Sequence, residues 1–156
     1  MHYVGNAWAG EGYDRSVLRV EYTDNLIRSV AGQCSKTIAV LHNAGTRLVD
    51  GFVDHPNVTA QNLAHLPGQE NGAALVSLLY SDENLSGKLP YTVAKNESDY
   101  GHLLNPDAAD GVYKYFPQSN FDEGVYIDYR RFDKENITPG TSLALVSVIP
   151  HSRSPA

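Results

Sequence analysis

The sequence predicts an α/β fold, in which a mostly parallel sheet is flanked by helices as a three-layer sandwich. The first observation is the apolar run at residues 36–42, which is typical of a strand buried on both faces of a parallel sheet. The second is the alternation of strand and helix patterns, which predicts parallel βαβ units with right-handed crossovers. A length of 156 residues suits one ordinary domain.

The first helix is predicted by apolar residues that recur at helical spacing. These residues are Leu26, Ile27, Val30, Ala31 and Cys34. Thr23 and Asp24 precede them as the predicted N-cap pair. Because Cys34 is the single cysteine, an internal disulfide is excluded. Its place at the end of an apolar stretch predicts a buried, inert thiol rather than a reactive one.

The remaining elements follow in chain order. We expect a short helical turn, a strand, a second helix, a short strand and a long surface loop at residues 47–52, 58–66, 70–79, 91–93 and 96–115. Residues 121–132 are rich in Tyr, Phe and Asp, and we expect them to pair at a sheet edge or to line a cleft. Gln61 and Asn62 place amides in the second strand, where burying an unpaired amide costs about 1–3 kcal/mol.

The charge and the apolar pattern exclude several classes of protein. A net charge of −6, with scattered Lys and Arg, disfavours nucleic-acid binding. No apolar run approaches the roughly 20 residues that cross a membrane. The N-terminus lacks the basic region and apolar core of a signal peptide, so the chain as written is expected in the cytoplasm. Four N-x-S/T sequons favour instead a secreted ancestry with glycosylation; they begin at Asn57, Asn84, Asn96 and Asn136.

The sequence lacks the common cofactor and metal motifs. Residues 10–12 lack the third glycine of a dinucleotide fingerprint, and residues 86–89 lack the leading glycine and the Ser or Thr of a phosphate loop. The six histidines show neither zinc-ligand spacing nor a cysteine partner. We therefore expect neither a metal nor a cofactor. His42 and His65 each follow a predicted strand, where α/β sheets bind ligands, although a structural, hydrogen-bonded histidine is the commoner case.

Seven blocks of sequence occur in a fixed order between residues 6 and 139. The blocks are NAWAGEGYDR at 6–15, TIAVLHNAG at 37–45, DHPNVT at 54–59, LPGQENG at 66–72, SGKLPYT at 86–92, KNESDYG at 95–101 and EGVYIDYRRFD at 123–133. Together they resemble the second, α/β domain of fungal-type glycoside hydrolase family 3 β-glucosidases. A collinear series of this kind is far more specific than any single motif.

The resemblance implies a retaining hydrolase that acts on β-glucosides or oligosaccharides and is secreted. In such enzymes a barrel domain gives the aspartate nucleophile, and the α/β sandwich gives the glutamate acid/base. Here the acid/base position falls on Glu11, and Tyr13 matches an aromatic residue on the leaving-group side of the sugar pocket. Glycines on both sides of Glu11 let the backbone turn tightly, so that the carboxyl group can meet the glycosidic oxygen.

The chain also departs from the family pattern. Retaining hydrolysis needs two carboxylates about 5–5.5 Å apart. The family's nucleophile precedes a tryptophan, but the single tryptophan here, Trp8, follows Ala7. The resemblance further implies strands and helices before residue 3, so the sandwich is expected to be incomplete at its N-terminus. We therefore expect an isolated chain without useful activity. Two alternatives are an inactive domain that binds carbohydrate or protein, and a catalytic half that works with a barrel domain in trans.

The resemblance ends at Pro139. A one-base shift in a coding sequence for the family's continuation yields the residues found at 140–148. We therefore divide the chain into a partial family 3 α/β domain at residues 1–139 and an out-of-frame, disordered tail at residues 140–156.

Overall fold

The computed structural model describes residues 4–6, 17–104, 111–116 and 121–141. Its strands are β1 (Val4–Asn6), β2 (Thr37–Asn43) and β3 (Val58–Leu63). Its α-helices are α1 (Glu21–Gln33), α2 (Asn71–Leu79) and α3 (Tyr129–Glu135). Two 3-10 segments, Glu97–Leu104 and Gly111–Tyr113, lie in the stretch predicted as a surface loop.

The three strands form one parallel sheet in the order β1-β2-β3. Asn6 pairs with Asn43 in the first ladder, and Leu41 pairs with Leu63 in the second. This parallel sheet with its helices confirms the predicted fold class. Since β1 pairs only with residues 41–43 of β2, residues 37–40 face no strand on that side within the described part of the chain.

Helix α1 begins earlier than predicted. It starts at Glu21 with Val20 as N-cap and no side-chain cap, so the expected capping role of Thr23 and Asp24 was wrong. Both side chains are buried instead, because each is bound by Arg47. The Arg47 guanidinium donates to Thr23 Oγ1 at 2.8 Å and to the Asp24 carboxylate. Through Thr23 and Asp24, Arg47 therefore binds α1 to the chain that follows β2.

The core lies where α1 meets β2 and the residues that follow β2. Ile27 of α1 packs with Leu41 of β2, with Val49 and Phe52, and with Val93, all buried. Burial of β2 rises to a continuous buried stretch at its carboxyl end, as the apolar run predicted. A hydrogen-bonded turn begins at Val49, whose carbonyl accepts from the N–H groups of Phe52 and Val53.

Three local predictions were wrong. Residues 91–93 form no strand, and only an isolated antiparallel bridge joins Val93 to Thr141. Cys34 is exposed, because it is the C-cap of α1 and the chain turns there into an extended conformation. For residues 121–132 pairing at a sheet edge was wrong, because a turn-rich stretch leads into α3, which buries Phe132; the alternative, that they line a cleft, stays a prediction.

Gly140 and Thr141, the first residues of the predicted tail, are hydrogen-bonded. Both N–H groups donate to the Val93 carbonyl, at 2.8 and 3.0 Å, and the Val93 N–H donates to the Thr141 carbonyl at 2.9 Å. Ordered structure therefore continues two residues beyond Pro139. The rest of the predicted tail, residues 142–156, lies outside the described residues.

An apolar groove opens beside α1 and β2. Its volume is about 260 Å³. It is lined chiefly by Leu26, Val30, Ile38, Val40 and Leu79. The groove adjoins the residues of β2 that have no strand opposite them on the β1 side, so an apolar surface and a free strand edge occur together.

Candidate active site

Glu11 and Tyr13, the two residues expected to act on a sugar, lie outside the described residues, but both flanks of their segment are described. Segment 7–16 joins Asn6, the last residue of β1, to Val17. It therefore starts at the carboxyl edge of a parallel sheet. This edge is where α/β sheets bind ligands, outside the ends of their strands.

Asn43 lies next to Asn6 at the carboxyl edge of the sheet. It ends β2, pairs in register with Asn6 and is only 2% exposed. Its Nδ2 donates to the Gly45 carbonyl, and Gly45 turns the chain with a φ of +71° that favours glycine. The Asn43 Oδ1 is buried and accepts no hydrogen bond from the described residues. Burying an acceptor without a donor costs about 1–3 kcal/mol.

The other flank of segment 7–16 is held by Glu97. Its Oε1 accepts a hydrogen bond from the Leu18 N–H and another, at 3.2 Å, from the Arg19 N–H. The Leu18 carbonyl accepts from the Leu48 N–H at 3.1 Å. The Arg19 guanidinium binds the Asp50 carboxylate and lies 3.9 Å from that of Asp24. The chain leaving segment 7–16 is thus fixed on its backbone and on its side chains.

Glu97 belongs to a hydrogen-bonded turn at residues 94–101. The Tyr100 hydroxyl donates to the Thr92 carbonyl at 2.9 Å and accepts from the Ala94 N–H at 2.8 Å. Burial raises the pKa of this phenol above its usual 10.0, so Tyr100 stays protonated and able to donate. The Asp99 carboxylate accepts from the Asn96 N–H at 3.0 Å. These bonds fix the turn from which Glu97 projects.

The 94–101 turn is also tied to the start of α3. The Arg131 guanidinium donates to the Tyr100 carbonyl at 3.2 Å. Asp128, the N-cap of α3 with a φ of 51°, accepts from the Thr92 N–H at 2.9 Å and from the Thr92 hydroxyl at 3.0 Å. Helix α3 is therefore hydrogen-bonded to this turn through Arg131, and its N-cap residue Asp128 is bonded to Thr92 just before the turn.

A buried ion pair joins α1 to the residues that follow β2. The side chains of Arg47 and Asp24 are 2% and 4% exposed. Burial raises the pKa of Asp24 above its usual 3.8, against the opposing attraction of Arg47 and Arg19. A buried pair of this kind holds its elements in one arrangement, because removing either partner leaves an uncompensated charge.

The two histidines predicted to follow strands lie in different surroundings. His65 Nε2 and the Tyr91 hydroxyl share a hydrogen bond of 3.2 Å, and their rings meet edge to face. His42 lies inside β2 rather than after it and is buried. Among the described residues no group of three His, Cys, Asp or Glu side chains could hold a metal ion. In the same part of the chain no helix is long and apolar enough to cross a membrane.

The four sequons differ in exposure. Asn84, Asn96 and Asn136 are exposed. Asn57 is half-buried, and its Nδ2 donates to the Ala31 carbonyl at 2.8 Å. The amide nitrogen is the atom that carries an N-linked glycan. In Asn57 this nitrogen donates the hydrogen bond that holds α1 next to the start of β3.

Sequence reasoning assigned no role to Asn43, Glu97 or Asp128, which hold the flanks of segment 7–16 or support them. All three stand in collinear blocks, and Asn43 directly follows the apolar run. That placement was the available signal. Their roles depend on contacts between residues as many as 79 positions apart, which a single sequence does not reveal.

Comparison with known proteins identifies a matching family and similar proteins. Residues 2–129 match the family described as "Glycosyl hydrolase family 3 C-terminal domain". "Probable beta-glucosidase M" of Emericella nidulans is 60% identical over 134 residues, which are 86% of this chain and 17% of that protein. "Beta-glucosidase cel3A" of Pyricularia oryzae is 58% identical over 135 residues, which are 86% of this chain and 18% of that protein.

Solved structures of β-glucosidases also match this chain. A β-glucosidase of Chaetomium thermophilum matches with a TM-score of 0.73 at 40% identity, over 87% of this chain and 16% of that one. The β-D-glucoside glucohydrolase of Trichoderma reesei matches with a TM-score of 0.72 at 35% identity, over 87% and 18% of the two chains. The chain thus spans less than a fifth of the length of these relatives.

Proposed function

Since the chain belongs to glycosyl hydrolase family 3, through its match to the C-terminal domain, we propose that it is the part of a β-glucosidase that gives the general acid/base, Glu11. The supporting observation is the position of β1. This strand ends at Asn6 beside Asn43, so Glu11 follows by five residues from the carboxyl edge of the sheet. The proposed substrate is a β-glucoside or a β-linked oligosaccharide.

Glu11 would act twice in a retaining mechanism. Its carboxylic acid first protonates the glycosidic oxygen as the bond to the anomeric carbon breaks, so that the leaving alcohol departs neutral. Its carboxylate then takes a proton from the water that hydrolyses the glucosyl-enzyme intermediate. The carboxylate that forms this intermediate is expected on the barrel domain. Tyr13 is proposed to contact the leaving group.

A domain replacement tests this function. The aligned 134 residues of the Emericella nidulans relative are replaced by those of this chain, and hydrolysis of p-nitrophenyl β-glucoside is measured for the chimera and for the isolated chain. We expect an active chimera and an inactive isolated chain, because only the chimera contains both carboxylates. An inactive but folded chimera would contradict the proposal, whereas an active isolated chain would contradict the need for a barrel domain.

A substitution in the same chimera assigns the role of Glu11. Glu11→Gln keeps the shape of the side chain but cannot exchange a proton, so we expect kcat to fall by about 10²–10⁴-fold. The matched control is Glu83→Gln, which changes an exposed carboxylate after α2. An unchanged kcat in Glu11→Gln would show that another residue is the acid/base.

We also propose that the natural protein is secreted and glycosylated at Asn84, Asn96 and Asn136, in line with their exposure. Asn57 is the expected exception, because its Nδ2 is bonded to Ala31. Peptide mapping after expression behind a fungal signal peptide tests both points. Glycan on Asn57 in folded protein would contradict the exception, and absence of glycan from all four would contradict the route.

A further inference from the structure

Glu97 makes an unusual pair of contacts for a side chain so distant in sequence. One of its oxygens, Oε1, accepts the N–H groups of both Leu18 and Arg19. The partners are 79 and 78 residues away in the chain. A carboxylate that accepts backbone N–H groups makes charge-assisted bonds, which are about twice as strong as neutral ones.

These two N–H groups occupy a special place. Leu18 and Arg19 follow segment 7–16 with only Val17 between them and it, and they precede α1, which begins at Glu21. The other end of segment 7–16 is fixed by the pairing of Asn6 with Asn43. Leu18 and Arg19 are therefore held by Glu97, by the bond from the Leu48 N–H to the Leu18 carbonyl, and by the ion pair of Arg19 with Asp50.

Glu97 belongs to a turn that is itself held by hydrogen bonds. The 94–101 turn is closed by the two Tyr100 hydroxyl bonds and by the Asn96–Asp99 bond. Arg131 of α3 holds the same turn through the Tyr100 carbonyl. Hydrogen bonds therefore connect α3 through the 94–101 turn to Leu18 and Arg19, which follow segment 7–16.

We propose that Glu97 is a positioning residue for the acid/base: by holding the N–H groups of Leu18 and Arg19, it sets the carboxyl end of segment 7–16 and with it the approach of Glu11 to the glycosidic oxygen. This rests on the proposed function of Glu11. Misplacing a catalytic group by about 1 Å costs on the order of 10²-fold in rate. The loss should fall on the step that needs the proton.

The first test needs no activity and uses the chain as it is. Amide hydrogen exchange is followed at Leu18 and Arg19 in the unchanged chain, in Glu97→Ala, in Glu97→Gln and in the control Glu83→Ala. We expect exchange about 10- to 100-fold faster in Glu97→Ala, an intermediate rate in Glu97→Gln, which keeps an acceptor oxygen, and no change in the control. Unchanged exchange in Glu97→Ala would overturn the anchor itself.

The second test separates positioning from mere stability. In the chimera, kcat/KM is compared for 2,4-dinitrophenyl β-glucoside, whose leaving group departs without a proton, and for methyl β-glucoside, which needs one. We expect Glu97→Ala to lower the value for the methyl glucoside about 10- to 100-fold and the value for the dinitrophenyl glucoside far less. Glu97→Gln should recover part of the loss. Equal losses on the two substrates would overturn the positioning role, because a folding defect lowers both alike.

Glu11→Ala is measured beside these variants to separate the two proposals. If Glu11→Ala shows the dependence on leaving group and Glu97→Ala does not, the positioning role fails and the function of Glu11 stands. If Glu11→Ala shows no such dependence, the proposed function fails and the positioning role fails with it, whatever the exchange rates at Leu18 and Arg19.

Discussion

Helices α1 and α2 are buried in the opposite order to their apolar content. Helix α1 buries Ile27 and Ala31 together with Thr23 and Asp24. Helix α2 has a more apolar sequence, NGAALVSLL, yet buries none of its residues. The difference arises because α1 lies against β2 and the Val49–Phe52 turn, while the described residues offer α2 only the edge of the apolar groove. Burial is set by neighbouring elements and not by the helix's own sequence.

Breaking the ion pair on the α1 side should have the largest effect. Arg47→Met removes the closest cation from the buried Asp24 carboxylate and leaves Arg19 at 3.9 Å, which costs about 3–5 kcal/mol of the free energy of unfolding. The double substitution Arg47→Met with Asp24→Leu should recover most of this loss, since two apolar side chains of similar size replace the pair. Urea unfolding followed by circular dichroism measures both. A double variant as unstable as the single one would contradict the assignment.

Truncation of a core residue sharpens the comparison between the helices. Ile27→Ala on α1 removes a side chain that is 7% exposed and should cost about 2–5 kcal/mol. Val76→Ala on α2 removes one that is 52% exposed and should stay within about 0.5 kcal/mol. The same urea titration serves for both. Equal costs would mean that α2 is packed against part of the chain outside the described residues.

The 94–101 turn, which anchors the approach to α1, should respond more mildly. Tyr100→Phe leaves the Ala94 N–H and the Thr92 carbonyl without their partner, at a cost of about 1–3 kcal/mol. Because the pKa of Tyr100 is raised on folding, its contribution is fully present below pH 10 and is lost as the pH rises through the folded value. Stability measured from pH 8 to 11 should therefore fall more in the unchanged chain than in Tyr100→Phe, and parallel curves would contradict this.

The smallest expected change concerns association rather than stability. Ile38 is 44% exposed beside the free edge of β2 and the apolar groove, a combination that favours self-association. Ile38→Lys should shift the isolated chain toward monomer in light scattering after gel filtration. Val112→Lys is the control, since Val112 is exposed but distant in sequence from that edge. A monomeric unchanged chain would contradict the prediction.

The sequence predicted the strands and helices whose periodicity is strong, and it missed features that depend on distant partners. The run at residues 36–42 became β2 because an apolar strand has few alternatives to burial. Thr23 and Asp24 looked like helix caps, but Arg47, more than 20 residues later, binds both. Residues 91–93 had strand composition, yet their one described β-bridge joins Val93 to Thr141. Glu97 stands in a collinear block, but nothing in its local sequence pointed to Leu18 and Arg19 as its partners.

The central claim, that Glu11 is the acid/base of a retaining β-glucosidase, is tested most directly by azide rescue of Glu11→Ala in the chimera. Without a general base, the glucosyl-enzyme intermediate accumulates, and azide can attack it because this anion has no proton to lose. We expect millimolar azide to restore turnover of 2,4-dinitrophenyl β-glucoside and the product to be β-glucosyl azide. An unchanged rate with azide, or a product of the α configuration, would contradict it.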